Sequence, residues 1–306
     1  MSAPPLISVI IPHFNQPAFL AKCLASLPDQ RAQDVPSYEV LVVDNGSREM
    51  PEAVVAPYSH VRLLKEAEPG PGPARNKGVA EAQGEILAFT DADCVIDPGW
   101  LSRIAGYFAQ NQTVHAIGGD VYILRGDPDN ATPLEAYEGI YAFRTRMYIE
   151  KMGFTATNNL SVRAATMARV GPFGGKEIAE DRDWGHRARD MGYPTHWIED
   201  MIIHHPARTT FGELCKKWDR HTSHDYVKIH GGSMGRLKWL ARAAALAVSP
   251  IAEIPRILTA KRISGPRERM LAFWVLLKIR LYRAWIMLKM AVSKKTVERM
   301  SAAWNA

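Results

Sequence analysis

Cysteine is nearly absent from this 306-residue chain: Cys23, Cys94 and Cys215 are its three, and they stand far apart. No Cys-x-x-Cys pair occurs, which excludes a zinc ribbon and a disulfide-stapled scaffold and fits a reducing compartment. Long hydrophobic runs are missing too. The apolar run at 271–277 falls far short of the ~20 residues of a membrane-spanning helix. The start, Met1-Ser2-Ala3-Pro4-Pro5, has no basic segment and leads straight into a strand-like run, so no signal peptide is expected. There is no internal repeat, no low-complexity tract and no recognisable nucleic-acid-binding module. What remains is an ordinary globular composition, 47% apolar and 23% charged, with enough chain for a sizeable core.

The net charge of +6 conceals an asymmetry. Residues 231–306 hold 15 Lys/Arg against 3 Asp/Glu, whereas 1–230 hold 23 against 29. A mildly acidic body with a basic, apolar tail points to an anionic partner, and phospholipid headgroups fit better than nucleic acid here. The tail contains three helical stretches, 237–248, 251–259 and 269–292. In the longest, at about 100° per residue, Lys278 and Lys289 fall together while Arg280 and Arg283 fall nearly opposite. Its charges therefore mark out no single face. The expected organisation is a body over 1–228, split into halves at 1–105 and 106–228, followed by a basic helical tail over 229–306. The expected place is the cytoplasm, with a peripheral position on the cytoplasmic face of the inner membrane through the tail.

The first half alternates strands and helices. Residues 6–11 read as a strand ended by Pro12, 17–27 as a helix, 38–43 as a second strand closed by Asp44-Asn45-Gly46-Ser47, and 61–64 as a third. A Pro/Gly-rich loop at 69–73 leads into a helix over 74–83, stopped by Gly84. This alternation implies a parallel sheet flanked by helices, and the near-continuous Val/Ile/Leu runs imply strands buried on both faces. Past residue 100 the pattern loosens. A helix is expected over 101–110, strands over 114–119 and 121–124, helices over 132–151 and 179–191, and short strands at 197–198 and 201–203.

The most telling stretch is Ile86-Leu87-Ala88-Phe89-Thr90-Asp91-Ala92-Asp93, an apolar run that ends in two carboxylates. On an extended chain residues i and i+2 point the same way, so Asp91 and Asp93 are expected to face one site. Open α/β sheets collect ligands beyond the carboxyl ends of their strands. Two anions there call for a hard divalent cation and something that it holds, most simply a diphosphate. Two further Asp-x-Asp pairs occur, Asp127/Asp129 in turn-forming sequence and Asp181/Asp183 at a helix start, so position rather than pattern singles out the first. On the same side of the expected sheet lie Pro12 to Asn15, Asp44, Arg75 and Glu180-Asp181. Asp44 suits a base or ribose, and Arg75 suits a phosphate or the floor of a nucleotide pocket. Other residues carry two readings. Glu180 is a cap partner or an acceptor contact, Trp184 is core or a sugar platform, and Asn158 and Asn159 are turn residues or part of a site.

These segments resemble those of the inverting family 2 glycosyltransferases, which have the Rossmann-like GT-A fold of nucleotide-diphospho-sugar transferases. The matching segments are Ser8-Val9-Ile10-Ile11-Pro12 with Asn15, Val42 to Ser47, Gly72-Pro73-Ala74-Arg75-Asn76-Lys77-Gly78, and Phe89 to Asp93. Further on come Thr157 to Arg163, and Glu180-Asp181-Arg182-Asp183 with Arg187 and Gly192. The likeness covers roughly 6–210 in the correct order. It implies transfer of a sugar from a nucleotide-diphospho-sugar to an acceptor hydroxyl, in surface polysaccharide or glycolipid synthesis. Donor binding would fall to Pro12, Asn15, Asp44, Arg75, Asp91 and Asp93, with Asp44 on the base and Asp91 near the ribose. Asp93 would ligate Mg²⁺ or Mn²⁺, and Asp181 would be the general base. Glu180, Trp184 and Asn159 would meet a glycan or lipid-linked acceptor. Family members often carry a histidine after the last strands as a metal or phosphate contact; His205 matches that place, with His204 its neighbour and rival. The family's usual Asp-Asp-Gly-Ser is Asp44-Asn45-Gly46-Ser47 here, which weakens any statement about the base. A sugar-nucleotide pyrophosphorylase is the rival of the same fold, but the segment after the first strand lacks its Gly-rich, lysine-bearing loop. A non-catalytic nucleotide-sugar-binding protein is the other rival.

Overall fold

The computed structural model describes residues 5–28, 35–175, 178–229, 234–293 and 296–297. The expectation about a signal peptide falls on residues 1–4, outside that set, as does the end of the tail. The chain divides into two compact units, 1–122 with 143–206, and 123–142 with 207–306.

The first unit is built on a sheet of β1 (Ile7–His13), β2 (Tyr38–Asp44), β3 (Val61–Lys65), β4 (Ile86–Phe89), β5 (Val95–Ile96), β6 (Ala116–Leu124), β7 (Leu160–Arg163) and β8 (Thr195–Pro206). Their order across the sheet is β3-β2-β1-β4-β7-β6-β8-β5. β1 pairs in parallel with β2 and β4, and β2 with β3. Beyond β4 the sheet turns antiparallel, with β7 against β4, β6 against β7 and β5 against β8.

Strand alternation sends side chains to both faces, and both faces are packed. Ile7, Val9 and Ile11 join one core cluster with Val40, Val42, Ile86 and Ala88. Ile10 joins the other with Leu41, Leu87 and Phe89. With both faces covered, the carboxyl ends of the parallel strands are where polar groups can gather.

Several elements differ from the sequence expectation. The fourth strand stops at Phe89, and Asp91 to Cys94 form a turn closed by Cys94 N–H donating to Asp91 O at 3.0 Å. Asp91 and Asp93 are therefore brought together by a turn, not by an extended chain. The two strands expected at 114–124 are one, because Gly119 keeps the backbone extended where a side chain has no room. The pair expected at 197–203 is likewise the single β8. The helix expected over 132–151 is broken. Pro133–Tyr141 starts on a capping box of Thr132 and Glu135, and a short Thr145–Met147 helix and a π-turn over Tyr148–Met152 follow, ended by Gly153 at φ 74°. The helices Ala164–Val170 and Phe211–Ile229 were not anticipated.

The second unit is helical: Pro133–Tyr141, Phe211–Ile229, Gly235–Ala252, Ile254–Leu258 and Gly265–Val292. Leu134, Tyr137, Leu214, Ile257, Val275, Leu276 and Ile279 form one core cluster, and Tyr226, Trp239, Ile286, Met287 and Met290 belong to another. Trp239 Nε1 donates to Met287 O at 2.8 Å. Arg125 grips buried Glu268 through both carboxylate oxygens at 2.9 Å, and Arg208 pairs with buried Glu138. No helix among the described residues is long and apolar enough to cross a membrane.

Gly119 gives a direct test of the packing that joins β6 to β8. A Cβ there would lie 1.9 Å from the Met201 carbonyl oxygen and 2.5 Å from Asn159 Nδ2. Gly119→Ala is expected to destabilise the protein by about 3 kcal/mol, at the upper end of overpacking costs. Gly106→Ala, in the Trp100–Gln110 helix with nothing near its missing Cβ, is expected to be neutral or to stabilise by up to ~1 kcal/mol. Urea unfolding followed by circular dichroism separates the two.

Candidate functional site

A cavity of about 590 Å³ opens at the carboxyl ends of β1 and β4. Pro12, His13, Phe14 and Gln16 line it from the end of β1, and Asn45 from the end of β2. Arg75, Asp91, Asp93, Phe143, Thr157, Asn158, Glu180, Asp181 and His205 complete its polar and aromatic lining, with Pro69, Gly70, Pro71, Ala92 and Ala156 between them.

Arg75 is at the centre of this arrangement. It lies in the Pro71–Glu81 helix, which starts after Gly70 at φ 124°, a backbone setting that suits glycine. Asn45 Oδ1 accepts from Gly70 N–H at 2.7 Å and anchors that turn to the end of β2. Gly72 and Gly78 let the helix approach closely: a Cβ would come within 2.0 Å of Gly174 O at the first and 2.5 Å of Ile10 Cγ2 at the second. Asn76 fixes the rotation, accepting from Phe173 N–H at 2.8 Å and donating to Phe173 O at 2.9 Å. Arg75 is thereby aimed inward, 3% exposed, donating from Nη2 to Asp91 Oδ1 at 2.7 Å and from Nη1 to Glu180 Oε1 at 2.9 Å. Burial opposes its charge, but the carboxylates of Asp91 and Glu180 outweigh that and favour the cation.

Asp93 shares the turn with Asp91. Burial raises its carboxyl above the ordinary value, and the Asp91 charge adds to the rise, while His205 opposes it. His205 Nε2 lies 3.5 Å from Asp93 Oδ2. The other ring nitrogen, Nδ1, is 2.7 Å from Pro206 O. A carbonyl only accepts, so Nδ1 carries a proton and Nε2 turns toward the carboxylate. A carboxylate oxygen facing a ring nitrogen calls for a proton or a cation between them. His204 is not among the lining residues. Its ring is 6.1 Å from that of Tyr122, as neighbouring residues on a strand face opposite ways.

Asp181 lines the cavity from the first turn of the Glu180–Asp190 helix. Its carboxyl is raised by burial and then by the adjacent Glu180, and Arg75 opposes the shift. Two thiols back the Asp91–Asp93 turn. Cys23 Sγ is 3.7 Å from Asp91 O, and Cys94 Sγ is 3.8 Å from Asp93 Oδ1. Burial raises both thiols far above the ordinary value, and the Asp91 and Asp93 charges add to the rise.

Four residues expected at the site are placed elsewhere. Asp44 is fully buried behind the lining, accepting from His13 Nδ1 at 2.9 Å and from Ser47 N–H at 3.1 Å. Burial works against its charge, yet these partners hold its carboxyl below the ordinary value. Asn15, at φ 53°, ties the loops after β1 and β2 together: Oδ1 accepts from Arg48 N–H at 2.9 Å, and its own N–H donates to Ser47 Oγ at 2.8 Å. Trp184, 1% exposed, packs in the core beside Phe173 with Nε1 donating to Gly171 O, so it offers no sugar platform. Asn159 is fully buried; it accepts from Trp100 Nε1 and donates to Asp120 O and Met201 O, which makes it a structural bridge, not an acceptor contact. Its neighbour Asn158 does line the cavity, 4% exposed, with Oδ1 lacking a hydrogen-bond partner. His13 and Phe14, in the segment expected at the site but given no role there, line the cavity too, and Phe143 was missed. Phe14, a large apolar residue just past the end of β1, is 56% exposed there.

Comparison with known proteins agrees with this geometry. The family model described as glycosyl transferase family 2 matches residues 8–170. Glycosyltransferase AglE of Haloferax volcanii is 36% identical over 219 residues, which is 70% of this chain and 70% of that protein. The uncharacterized glycosyltransferase EpsJ of Bacillus subtilis is 29% identical over 112 residues, and this match spans 35% of the present chain and 32% of EpsJ. Among solved structures, mannosyltransferase PcManGT from Pyrobaculum calidifontis, in complex with GDP-Man and Mn²⁺, superposes with a TM-score of 0.54 at 20% identity, covering 96% of this chain and 89% of that one. That likeness bears out the α/β GT-A architecture. A family model over residues 8–170 and a curated relative of this similarity establish that the chain belongs to glycosyl transferase family 2 and is a glycosyltransferase.

Proposed function

We propose that the cavity transfers a sugar from a nucleotide-diphospho-sugar to an acceptor hydroxyl by single displacement, with inversion and with help from Mg²⁺ or Mn²⁺. One observation carries the reading: the Asp93–His205 pair and the raised carboxyl of Asp181 open onto the same cavity. The nucleotide would lie against Pro12, His13 and Asn45, with Asp44 braced behind them. Asp91 keeps one oxygen on Arg75, which leaves the other for a ribose hydroxyl.

The residues present fit a divalent cation. Two donors about 2.1 Å from one ion sit roughly 3–4 Å apart, and Asp93 Oδ2 and His205 Nε2 are 3.5 Å apart. Among the described residues no three or more His, Cys, Asp or Glu side chains are placed to hold one metal ion, so the diphosphate itself would complete the coordination. What a bound cation supplies there is positive charge against the diphosphate as the glycosyl–phosphate bond breaks. The fold relative that binds GDP-Man and Mn²⁺ supports the same pairing of ligands.

Asp181 takes the proton of the attacking hydroxyl. Its partner Glu180 is held by Arg75, so one carboxylate is left to act as base. A single base and no enzyme nucleophile means one displacement, hence inversion. The acceptor is proposed to be a glycan or lipid-linked glycan of surface polysaccharide or glycolipid synthesis.

The overall test is a screen of UDP-, GDP- and dTDP-sugars with Mn²⁺ or Mg²⁺, read by thermal stabilisation, then by NMR of the product. A stabilising donor and an inverted anomeric centre are expected; no stabilisation by any donor, or retention, overturns the reading. Asp181→Asn is expected to lower kcat by about 10²–10⁴ with donor KM little changed. Because burial and Glu180 raise the Asp181 carboxyl, the acid limb of kcat against pH should lie above that of an ordinary carboxylate, with activity lost as pH falls through it. The Asn variant should lose that limb. His205→Ala is expected to raise the Mn²⁺ concentration for half-maximal activity by about tenfold or more, and chelation should silence the parent enzyme.

A further inference from the structure

We propose that the second unit docks on an anionic phospholipid bilayer through an uncovered apolar stripe on its Gly265–Val292 helix. This helix is apolar on more than one side. One side, with Ala272, Val275, Leu276, Ile279, Ile286 and Met287, is buried within the unit. Another presents Met270, Trp274, Leu281, Trp285, Leu288 and Val292, each between 48% and 76% exposed. Their spacings of three, four and seven residues set them along one line of the helix. From Met270 to Val292 the line runs about 33 Å.

Surface apolar residues scattered singly are ordinary, but these are not scattered. Of the seventeen large apolar side chains exposed among the described residues, twelve fall between Met234 and Val292. Two in the stripe are tryptophans, whose amphipathic rings favour a membrane–water boundary. Lys289 Nζ lies over the Trp285 ring at 3.5 Å, beside the stripe, while Lys278, between Trp274 and Leu281, sets its Nζ over the Phe211 ring at 4.7 Å. A long basic side chain placed as Lys289 is can keep its stem on apolar groups while its head reaches a phosphate group. An apolar cavity of about 360 Å³, lined by Ile254, Ile257, Leu258 and Phe273 among others, adjoins Met270 and offers room for an acyl chain. Arg269 is its one charged lining residue.

Charge selects the occupant. Residues 231–306 carry 15 basic and 3 acidic side chains, so a second copy would set one strongly basic surface on another. An anionic bilayer meets both the stripe and the charge, with about 1 kcal/mol for each basic residue near the surface. The helix lies in the interface and does not cross it. The inference does not rest on the sugar-transfer reading.

The test is flotation of the full chain with vesicles of phosphatidylcholine alone or mixed with phosphatidylglycerol, at low and high salt. The chain should float with the anionic vesicles at low salt and bind more weakly at high salt. The double substitution Trp274→Ser/Trp285→Ser, at exposed positions, should lower the vesicle partition coefficient at least about tenfold with an unchanged melting temperature. Failure of the parent to bind anionic vesicles overturns the proposal, as does unaltered binding by the folded double variant. A concentration-dependent dimer in sedimentation equilibrium that the same substitutions dissolve assigns the stripe to a second copy and also overturns it.

Discussion

The site depends on a buried guanidinium. Arg75 joins the turn after β4 to the helix that begins at Glu180, two segments far apart in sequence, and it does so from a third. A buried charge is tolerable only when it is paired with good geometry, and here each carboxylate takes its own terminal nitrogen. Removing either carboxylate would leave one terminal nitrogen of the buried guanidinium without its partner. The same contacts divide the acidic residues by task. Asp91 and Glu180 are each committed through one oxygen, whereas Asp93 and Asp181 pair with no arginine among the described residues and keep raised carboxyls.

The sheet explains why such a gathering forms at all. Three neighbouring parallel strands, β1, β2 and β4, are buried on both faces, which leaves their carboxyl ends as the place where the chain can turn polar. β1 lies between β2 and β4 there; Asn15 and Ser47 join the loops after β1 and β2, and Asn45 and Gly70 join the loop after β2 to the one after β3. Asp44 belongs to this stitching in the structure. It stabilises the floor through His13 and Ser47, which makes His13 the residue that it presents to the cavity.

The parallel half was legible because each strand there is a compact Val/Ile/Leu run bounded by turn residues, so pattern and burial agree. Ile86 to Asp93 could be read for its chemistry but not for its geometry, since one backbone hydrogen bond from Cys94 decides between a turn and an extended end. The antiparallel half was harder. Gly119 looks like a strand break until the Met201 carbonyl is seen to need the space. Trp184 and Asn159 sit in motif-like segments, yet their fate was set by partners more than ten residues away, Gly171 for one and Trp100, Asp120 and Met201 for the other. No local pattern carries that information. Between His204 and His205 the choice was one of strand parity, which only the register of β8 fixes. On the Gly265–Val292 helix, charge positions were uninformative because the helix is apolar in several directions, and only burial shows which of them is left uncovered.

The scarcity of cysteine acquires a meaning in the Asp91–Asp93 turn. Cys23 and Cys94 are packed beneath it, buried and held protonated by burial and by the neighbouring carboxylates. A thiol in that state is a poor nucleophile and a poor metal ligand. Neither thiol adds a charge to the turn above it. The acidic turn thus rests on two buried thiols that behave as small apolar side chains, filling the space beneath it without bringing charge.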